Sequence, residues 1–130
     1  MKNGEQTPRP TNAELRILRV LWQRGPSTVR QVREVLMAEK PTGYTTVLKF
    51  MQIMTEKGLL TRDESRRTHV YRPMVPAEAT QRQLVGDLLD RAFDGSAEKL
   101  VMHALSAKKV STEELSQIRS LLDTLEREEP

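Results

Sequence analysis

Residues 44–60 read YTTVLKFMQIMTEKGLL, and this stretch decides the fold. Helical geometry at 100° per residue gives it two unlike faces. One face is mainly apolar and is expected to be buried: Tyr44, Val47, Leu48, Met51, Met54 and Thr55. The opposite face is polar and mostly short-chained, apart from one isoleucine: Thr45, Thr46, Lys49, Gln52, Ile53 and Glu56. The stretch therefore predicts a helix from about Tyr44 to Glu56 that ends at Lys57-Gly58, where glycine suits the helix C-terminus.

Two more helices are predicted before this one. Thr11 with Glu14, and Thr28 with Gln31, have the spacing of a capping box, which marks a helix start. Gly25-Pro26 ends the first helix, and the run at 40–43 (KPTG) ends the second. Apolar side chains recur at helical spacing in both, so we expect a buried stripe on each: Leu15, Leu18, Leu21 and Trp22, then Val29, Val32, Val35 and Leu36. We also expect the methionines to fill the core: Met37, Met51, Met54, Met74 and Met102.

A β-hairpin is predicted directly after the helix at 44–56. Leu59–Arg62 and Thr68–Arg72 fit two short strands, and the polar run Asp63–Arg67 fits the turn between them. Pro73 and Pro76 mark a boundary. Three short helices followed by a hairpin are the parts of a winged helix-turn-helix.

The rest of the chain is predicted to be helical. One helix is expected at Ala77–Phe93, a short one follows, and a third begins at the capping box Ser111–Glu114. A tail this small cannot easily bury several apolar stripes alone, so we expect it to form a homodimer; packing against its own winged helix is the alternative. In the last helix, Leu115, Ile118, Leu122 and Leu125 step by 3, 4 and 3, which is the spacing of a coiled-coil-like seam. We expect dimer contacts from these four residues and from Leu88, Leu100 and Leu105.

Composition and charge narrow the class of protein. The 130 residues contain no cysteine, which excludes disulfides and thiolate metal sites and weakly favours the cytoplasm. No apolar run approaches the roughly 20 residues that cross a bilayer. Residues 1–75 hold 14 Lys and Arg against 7 Asp and Glu, a net charge of +7, while residues 76–130 hold 7 against 11, a net −4. A basic first half favours a polyanionic partner.

We therefore expect a mainly α fold with a small β-hairpin, in three parts. These are a flexible arm at residues 1–10, a winged-helix DNA-binding domain at 11–75 and a helical dimerisation region at 76–130. No glycine-rich phosphate loop or nucleophile elbow is present, so neither an enzyme nor a cofactor is expected. The only histidines are His69 and His103, and a metal site built from them with carboxylates is a weaker alternative.

The candidate DNA-binding residues follow from how a helix-turn-helix docks. Its second helix enters the major groove, and the first turns of that helix meet the base edges. Threonine can contact a thymine methyl, lysine reaches guanine acceptors and glutamine pairs with adenine. We expect base contacts from Thr45, Thr46, Lys49 and Gln52. Arg66 and Arg67 in the hairpin turn would lie on the phosphates or in the minor groove of double-stranded DNA.

Three segments together carry a family resemblance: TNAELRILRVLW at 11–22, YTTVLKFMQIMTEKGLL at 44–60 and THVYRP at 68–73. The chain resembles the penicillinase-repressor family (BlaI/MecI/CopY type) over Thr11 to about Glu126. The resemblance implies a cytoplasmic winged-helix homodimer that represses transcription from an inverted-repeat operator, near antibiotic-resistance or stress genes. It implies base reading by Thr45, Thr46 and Lys49, and a wing at Arg66-Arg67.

The chain departs from this family pattern at three places. Ile53 stands where such helices often carry a basic residue, and the cysteine cluster of the copper-responsive branch is absent. The antibiotic-responsive branch is cleaved by a sensor protease in a segment resembling Leu100–Ala104, with Asn-Phe where this chain has His103 and Ala104. This pair is the candidate cleavage segment. Two alternatives stay open: a winged-helix protein-interaction module, and a ligand- or metal-sensing regulator.

Overall fold

A computed structural model describes residues 8–128, so the predicted flexible arm at 1–10 lies outside the described residues except for residues 8–10. The described part is mainly helical with one antiparallel hairpin, as expected. It divides into two compact units, one up to Val85 and one from Gly86 onward. The elements are α1 (Asn12–Arg24), α2 (Val29–Met37), α3 (Tyr44–Lys57), β1 (Leu60–Asp63), β2 (Val70–Pro73), α4 (Ala77–Ala92), α5 (Ala97–Ala107) and α6 (Thr112–Glu128).

The two capping boxes that the sequence predicts for α1 and α2 are present at the starts of these helices. Glu14 N donates to the Thr11 hydroxyl at 3.2 Å, and Thr11 N donates to the Glu14 carboxylate at 2.9 Å. The same reciprocal pair joins Thr28 and Gln31, at 3.2 and 3.0 Å. Each box satisfies two backbone amides that have no partner within the helix, and so fixes where the helix begins.

The core of the first unit lies where α1, α2, α3 and the hairpin meet. α3 contributes Val47, Met51 and Met54, while Trp22 and Leu48 are partly buried against the same cluster. The indole Nε1 of Trp22 donates to the carbonyl of Val75 at 2.9 Å, which attaches the segment after β2 to α1. The other buried members of this core are Ile17, Leu18, Val20, Leu21, Val29, Val32, Leu36, Leu59, Leu60, Tyr71 and Val75.

Several expected core residues are exposed, and each lies where its element ends or where no core is enclosed. Tyr44 is exposed because it opens α3, and Met37 because it closes α2. Met74 follows β2, and Met102 lies in α5, which buries none of its residues. The prediction that these methionines fill the core was wrong for Met37, Met74 and Met102, because residue type alone cannot show whether another element covers an apolar side chain.

The hairpin is shifted slightly along the chain from the expected strands. β1 and β2 pair from Leu60 with Pro73 to Asp63 with Val70. A further pairing was not predicted: Ser27, in the loop between α1 and α2, exchanges two backbone hydrogen bonds with Tyr71, at 3.0 and 2.8 Å. This pair, the Ser27–Tyr71 bridge, attaches the hairpin to the loop that leads into α2.

The second unit encloses no core of its own. No residue from Gly86 to Glu128 is buried. Two of its helices begin at a serine cap. The Ser96 hydroxyl accepts from Lys99 N at the start of α5, and the Ser111 hydroxyl accepts from Glu114 N at the start of α6. The predicted coiled-coil-like seam lies on α6, where its leucines are exposed. None of the helices within residues 8–128 combines the length and apolarity that a membrane span requires.

One ion pair links α1 to the end of α3. Lys57 Nζ lies 2.6 Å from Glu14 Oε1, and the Glu14 side chain is only 4% exposed. The same carboxylate belongs to the capping box of α1. By contrast, the pair between Arg16 and Glu39 is longer, at 3.6 Å, and its carboxylate is exposed.

We expect Glu14→Ala to lower the free energy of unfolding of the first unit by about 2 kcal/mol, because it removes both a cap and a buried partner of Lys57. Water reaching the ammonium of Lys57 limits the loss. Urea unfolding followed by the fluorescence of Trp22, the chain's single tryptophan, measures it. Glu39→Ala is the control and should cost under about 0.5 kcal/mol; equal losses in the two variants would contradict the assignment.

Candidate nucleic-acid interface

The turn before α3 is held by specific hydrogen bonds. Arg33 Nε donates to the carbonyl of Thr42 at 3.0 Å, and the Thr42 hydroxyl donates to the carbonyl of Lys40 at 2.9 Å. Gly43 is the N-cap of α3 and has no side chain to occupy the first amides of the helix. The turn therefore fixes the start of α3 while leaving amides there for another acceptor.

The polar face of α3 is exposed along its length. Thr45, Thr46, Lys49, Gln52 and Ile53 form this surface, which we call the outer face of α3, and all five are exposed. The opposite side of the helix is buried through Val47, Met51 and Met54. The structure thus brings the four predicted base-contacting residues onto one surface, supported from behind by the core.

A shallow depression runs along the outer face. It has a volume of about 290 Å³ and is lined by Thr45, Thr46, Lys49, Phe50 and Ile53. Threonine methyl groups, the phenyl ring and the isoleucine make its floor mainly apolar, with a lysine beside it. Such a surface can take an apolar group such as a thymine methyl next to a hydrogen-bond acceptor.

The hairpin turn contains charged side chains that pair with their neighbours as well as arginines that are exposed to solvent. Arg62 Nε lies 2.6 Å from Glu64 Oε2, and hydrogen bonds with Tyr71 and then with Glu64 raise the pKa of the Arg62 guanidinium. Ser65 N donates to the Asp63 carboxylate at 2.9 Å, and this bond is the main reason that the pKa of Asp63 is lowered. The charge of Arg66 acts in the same direction on Asp63. Arg66 and Arg67, the predicted wing residues, are both exposed.

A cleft lies between α2, α3 and the hairpin. We call it the basic cleft; its volume is about 260 Å³, and it is lined by Thr28, Val29, Arg30, Tyr44, Leu48, Arg67, Thr68, His69 and Tyr71. No pattern in the sequence assigns Arg30 or Tyr44 to a site. Their proximity to the hairpin depends on the Ser27–Tyr71 bridge, which leaves no local signal in the sequence.

The two histidines have different surroundings. His69 lines the basic cleft, whereas the ring of His103 contacts that of Phe93, with centroids 5.7 Å apart. Within residues 8–128, no three side chains of the histidine, cysteine, aspartate or glutamate type come together as a metal site would require.

The candidate cleavage and dimerisation residues lie on the helices of the tail. His103 and Ala104 are exposed in the interior of α5. Of the expected dimer contacts, four are exposed and the other three are half-buried: Leu88, Leu115, Leu122 and Leu125, then Leu100, Leu105 and Ile118.

Comparison with known proteins agrees with this geometry. A family model described as penicillinase repressor matches residues 10–124. The transcriptional regulator BlaI of Mycobacterium tuberculosis is 34% identical over 108 residues, which cover 82% of this chain and 77% of that protein. The penicillinase repressor of Bacillus licheniformis is 21% identical over 119 residues, covering 92% and 93% of the two chains.

A solved structure bears on the fold of the first unit. The solution structure of the DNA-binding domain of the repressor BlaI is similar with a TM-score of 0.50 and 22% identity. The match covers 55% of this chain and 88% of that domain. This likeness confirms the predicted winged-helix fold.

Proposed function

Because this chain belongs to the penicillinase repressor family of DNA-binding transcriptional repressors, we propose that it represses transcription as a homodimer on an inverted-repeat operator. Residues 11–75 would bind the DNA and residues 76–130 would form the dimer. We assign the chain no catalytic activity, in keeping with one relative named as a transcriptional regulator and another named as a penicillinase repressor. It places the chain in the cytoplasm, where bacterial DNA lies.

The outer face of α3 is the observation that carries this proposal. It offers two short hydroxyl side chains, an exposed ammonium and an exposed amide on one surface. Lys49 and Gln52 suit guanine and adenine acceptors, while the threonines permit close approach to the major groove. Ile53 cannot hydrogen-bond a base or pair with a phosphate, so its place in the depression favours contact with a thymine methyl.

The homodimer is inferred from the second unit. Its helices have apolar stripes, yet a single chain buries none of the residues from Gly86 to Glu128. Pairing two copies would remove these stripes from water, which is the main driving force for obligate association. A twofold dimer would set two α3 helices about 34–36 Å apart, one turn of DNA, which calls for an inverted repeat.

Proteolytic release is a further part of the proposal. Cleavage at His103–Ala104 would separate α6 from the DNA-binding unit and so weaken two-site binding. Both residues are exposed, but they lie inside α5, so the helix must unwind locally before a protease can bind them. Incubation with the cognate sensor protease tests this step, and a chain that stays intact would remove it from the proposal.

The sequence preference of DNA binding is tested by selection from a pool of random duplex DNA at about 0.15 M salt, followed by sequencing of the DNA that the protein retains. We expect enrichment of an inverted repeat with half-sites one turn apart. Lys49→Ala should weaken binding by roughly 1–3 kcal/mol and relax preference at one position of each half-site.

Arg67→Ala is the matched comparison for Lys49→Ala, since it should weaken all sequences alike. An unchanged selected motif and unchanged affinity for Lys49→Ala would count against base reading by the outer face. Retention of DNA without any enriched motif would reduce the proposal to non-specific binding.

Sedimentation of the full chain tests the homodimer. We expect the wild type to be dimeric, and Leu122→Glu to raise the dimer Kd by at least about tenfold, because it would bury an unpartnered carboxylate. Ser120→Glu adds the same charge about 200° away around α6 and should leave the dimer intact. A monomeric wild type, or equal effects of the two variants, would refute dimerisation through this seam.

A further inference from the structure

The basic cleft is a concentration of charge that the base-reading surface does not explain. Three elements supply its ionisable side chains: Arg30 from α2, Tyr44 from α3, and Arg67, His69 and Tyr71 from the hairpin. No carboxylate is among its lining residues. The Tyr71 side chain is hydrogen-bonded to Arg62, so the remaining groups are two guanidinium ions, an imidazole and an exposed phenol.

This set of side chains suits a phosphate group. Arginine presents planar donors that match phosphate oxygens, and a protonated imidazole adds a donor with a charge. The Thr28 hydroxyl already accepts from Gln31 N in the capping box of α2. The cleft is open and has a volume of about 260 Å³. This size fits one phosphate group, with the two sugars esterified to it passing outside the opening.

The position of the cleft indicates where the phosphate comes from. Tyr44 lines the cleft, and the next two residues along α3, Thr45 and Thr46, belong to the outer face. A duplex that presents base edges to these threonines must carry its sugar-phosphate backbone past the start of α3, beside the cleft. A DNA phosphodiester is therefore favoured over a free anion.

Resting on the proposed function, we propose that the basic cleft binds one backbone phosphate of DNA per protomer through Arg30, Arg67 and His69. Arg66 is exposed and is not among the residues that line the cleft, so it has no part in this contact. The site has a consequence that the outer face does not share. Histidine is the side chain that ordinarily changes charge between pH 5 and 8, whereas a phosphodiester stays anionic throughout.

DNA affinity should therefore rise as the pH falls. The protonated imidazole binds phosphate better than the neutral ring, so DNA binding favours proton uptake by His69. The other ionisable residues that line the cleft are arginines and tyrosines, residue types that ordinarily keep the same charge over this range. A change in DNA affinity between pH 5.5 and 7.5 that originates in the cleft must therefore come from His69.

The test measures binding of the full chain to a labelled duplex of random sequence, about two helical turns long, since phosphate contacts dominate such binding. We expect Arg30→Gln to lower the slope of log K against log salt by about 1 per bound protomer. The wild type should bind about fivefold more tightly at pH 5.5 than at pH 7.5. His69→Gln should lose this dependence.

Two matched variants serve as controls. Arg19→Gln removes the same charge from α1, where Arg19 lines a groove with Trp22 instead, and should keep both the slope and the pH dependence. His103→Gln removes the only other histidine and should keep the pH dependence. Fluorescence of Trp22 during urea unfolding shows whether each variant is folded.

The outcomes separate the cleft from the proposed function. A wild type that binds the duplex, with an unchanged slope in Arg30→Gln and a persisting pH dependence in His69→Gln, would overturn the cleft alone. A wild type that binds no duplex would overturn both. If inorganic phosphate shifts the imidazole NMR signals of His69 at matched ionic strength, and duplex DNA does not, the site takes a free anion and the backbone assignment is wrong.

Discussion

The Ser27–Tyr71 bridge is the contact on which the first unit's functional surface depends. Two backbone hydrogen bonds join the hairpin to the loop before α2, and the Tyr71 ring is buried in the core beneath them. Because of this attachment, the returning strand brings Arg67 and His69 beside Arg30 of α2. Without it, the hairpin would be attached mainly through its core side chains, and its cations would be held less firmly beside α2.

α3 has two roles that constrain each other. Val47, Met51 and Met54 are completely buried on one side of the helix, and the outer face on the other side is exposed. Rigid support matters because a base-reading side chain discriminates only if its backbone is held in place. The ion pair of Lys57 with Glu14 fixes the far end of the same helix against α1. Stability of the core and precision of the interface therefore have the same origin.

The sequence predicted what depends on local pattern. Capping boxes placed the starts of α1 and α2, and helical spacing placed the buried and outer faces of α3. It could not predict the Ser27–Tyr71 bridge, because a single backbone pair between distant segments has no residue signature. For the same reason Arg30 was missed: its role depends on which segment returns beside it. The exposure of Met37, Met74 and Met102 was also hidden, since the sequence does not show which apolar side chains another element will cover.

The two units would contribute to DNA recognition in different ways, the first through its charge and the second through the spacing it sets. The first half of the chain has a net charge of +7, which attracts any duplex, while the second half has a net charge of −4 and adds no such attraction. In the proposed homodimer the second unit would supply spacing, because a twofold axis through its apolar seam would fix the distance between two outer faces. Non-specific attraction and selection for half-site spacing would then reside in different parts of one chain. A cut within α5 would abolish the spacing and leave the attraction, so release would act on specificity first.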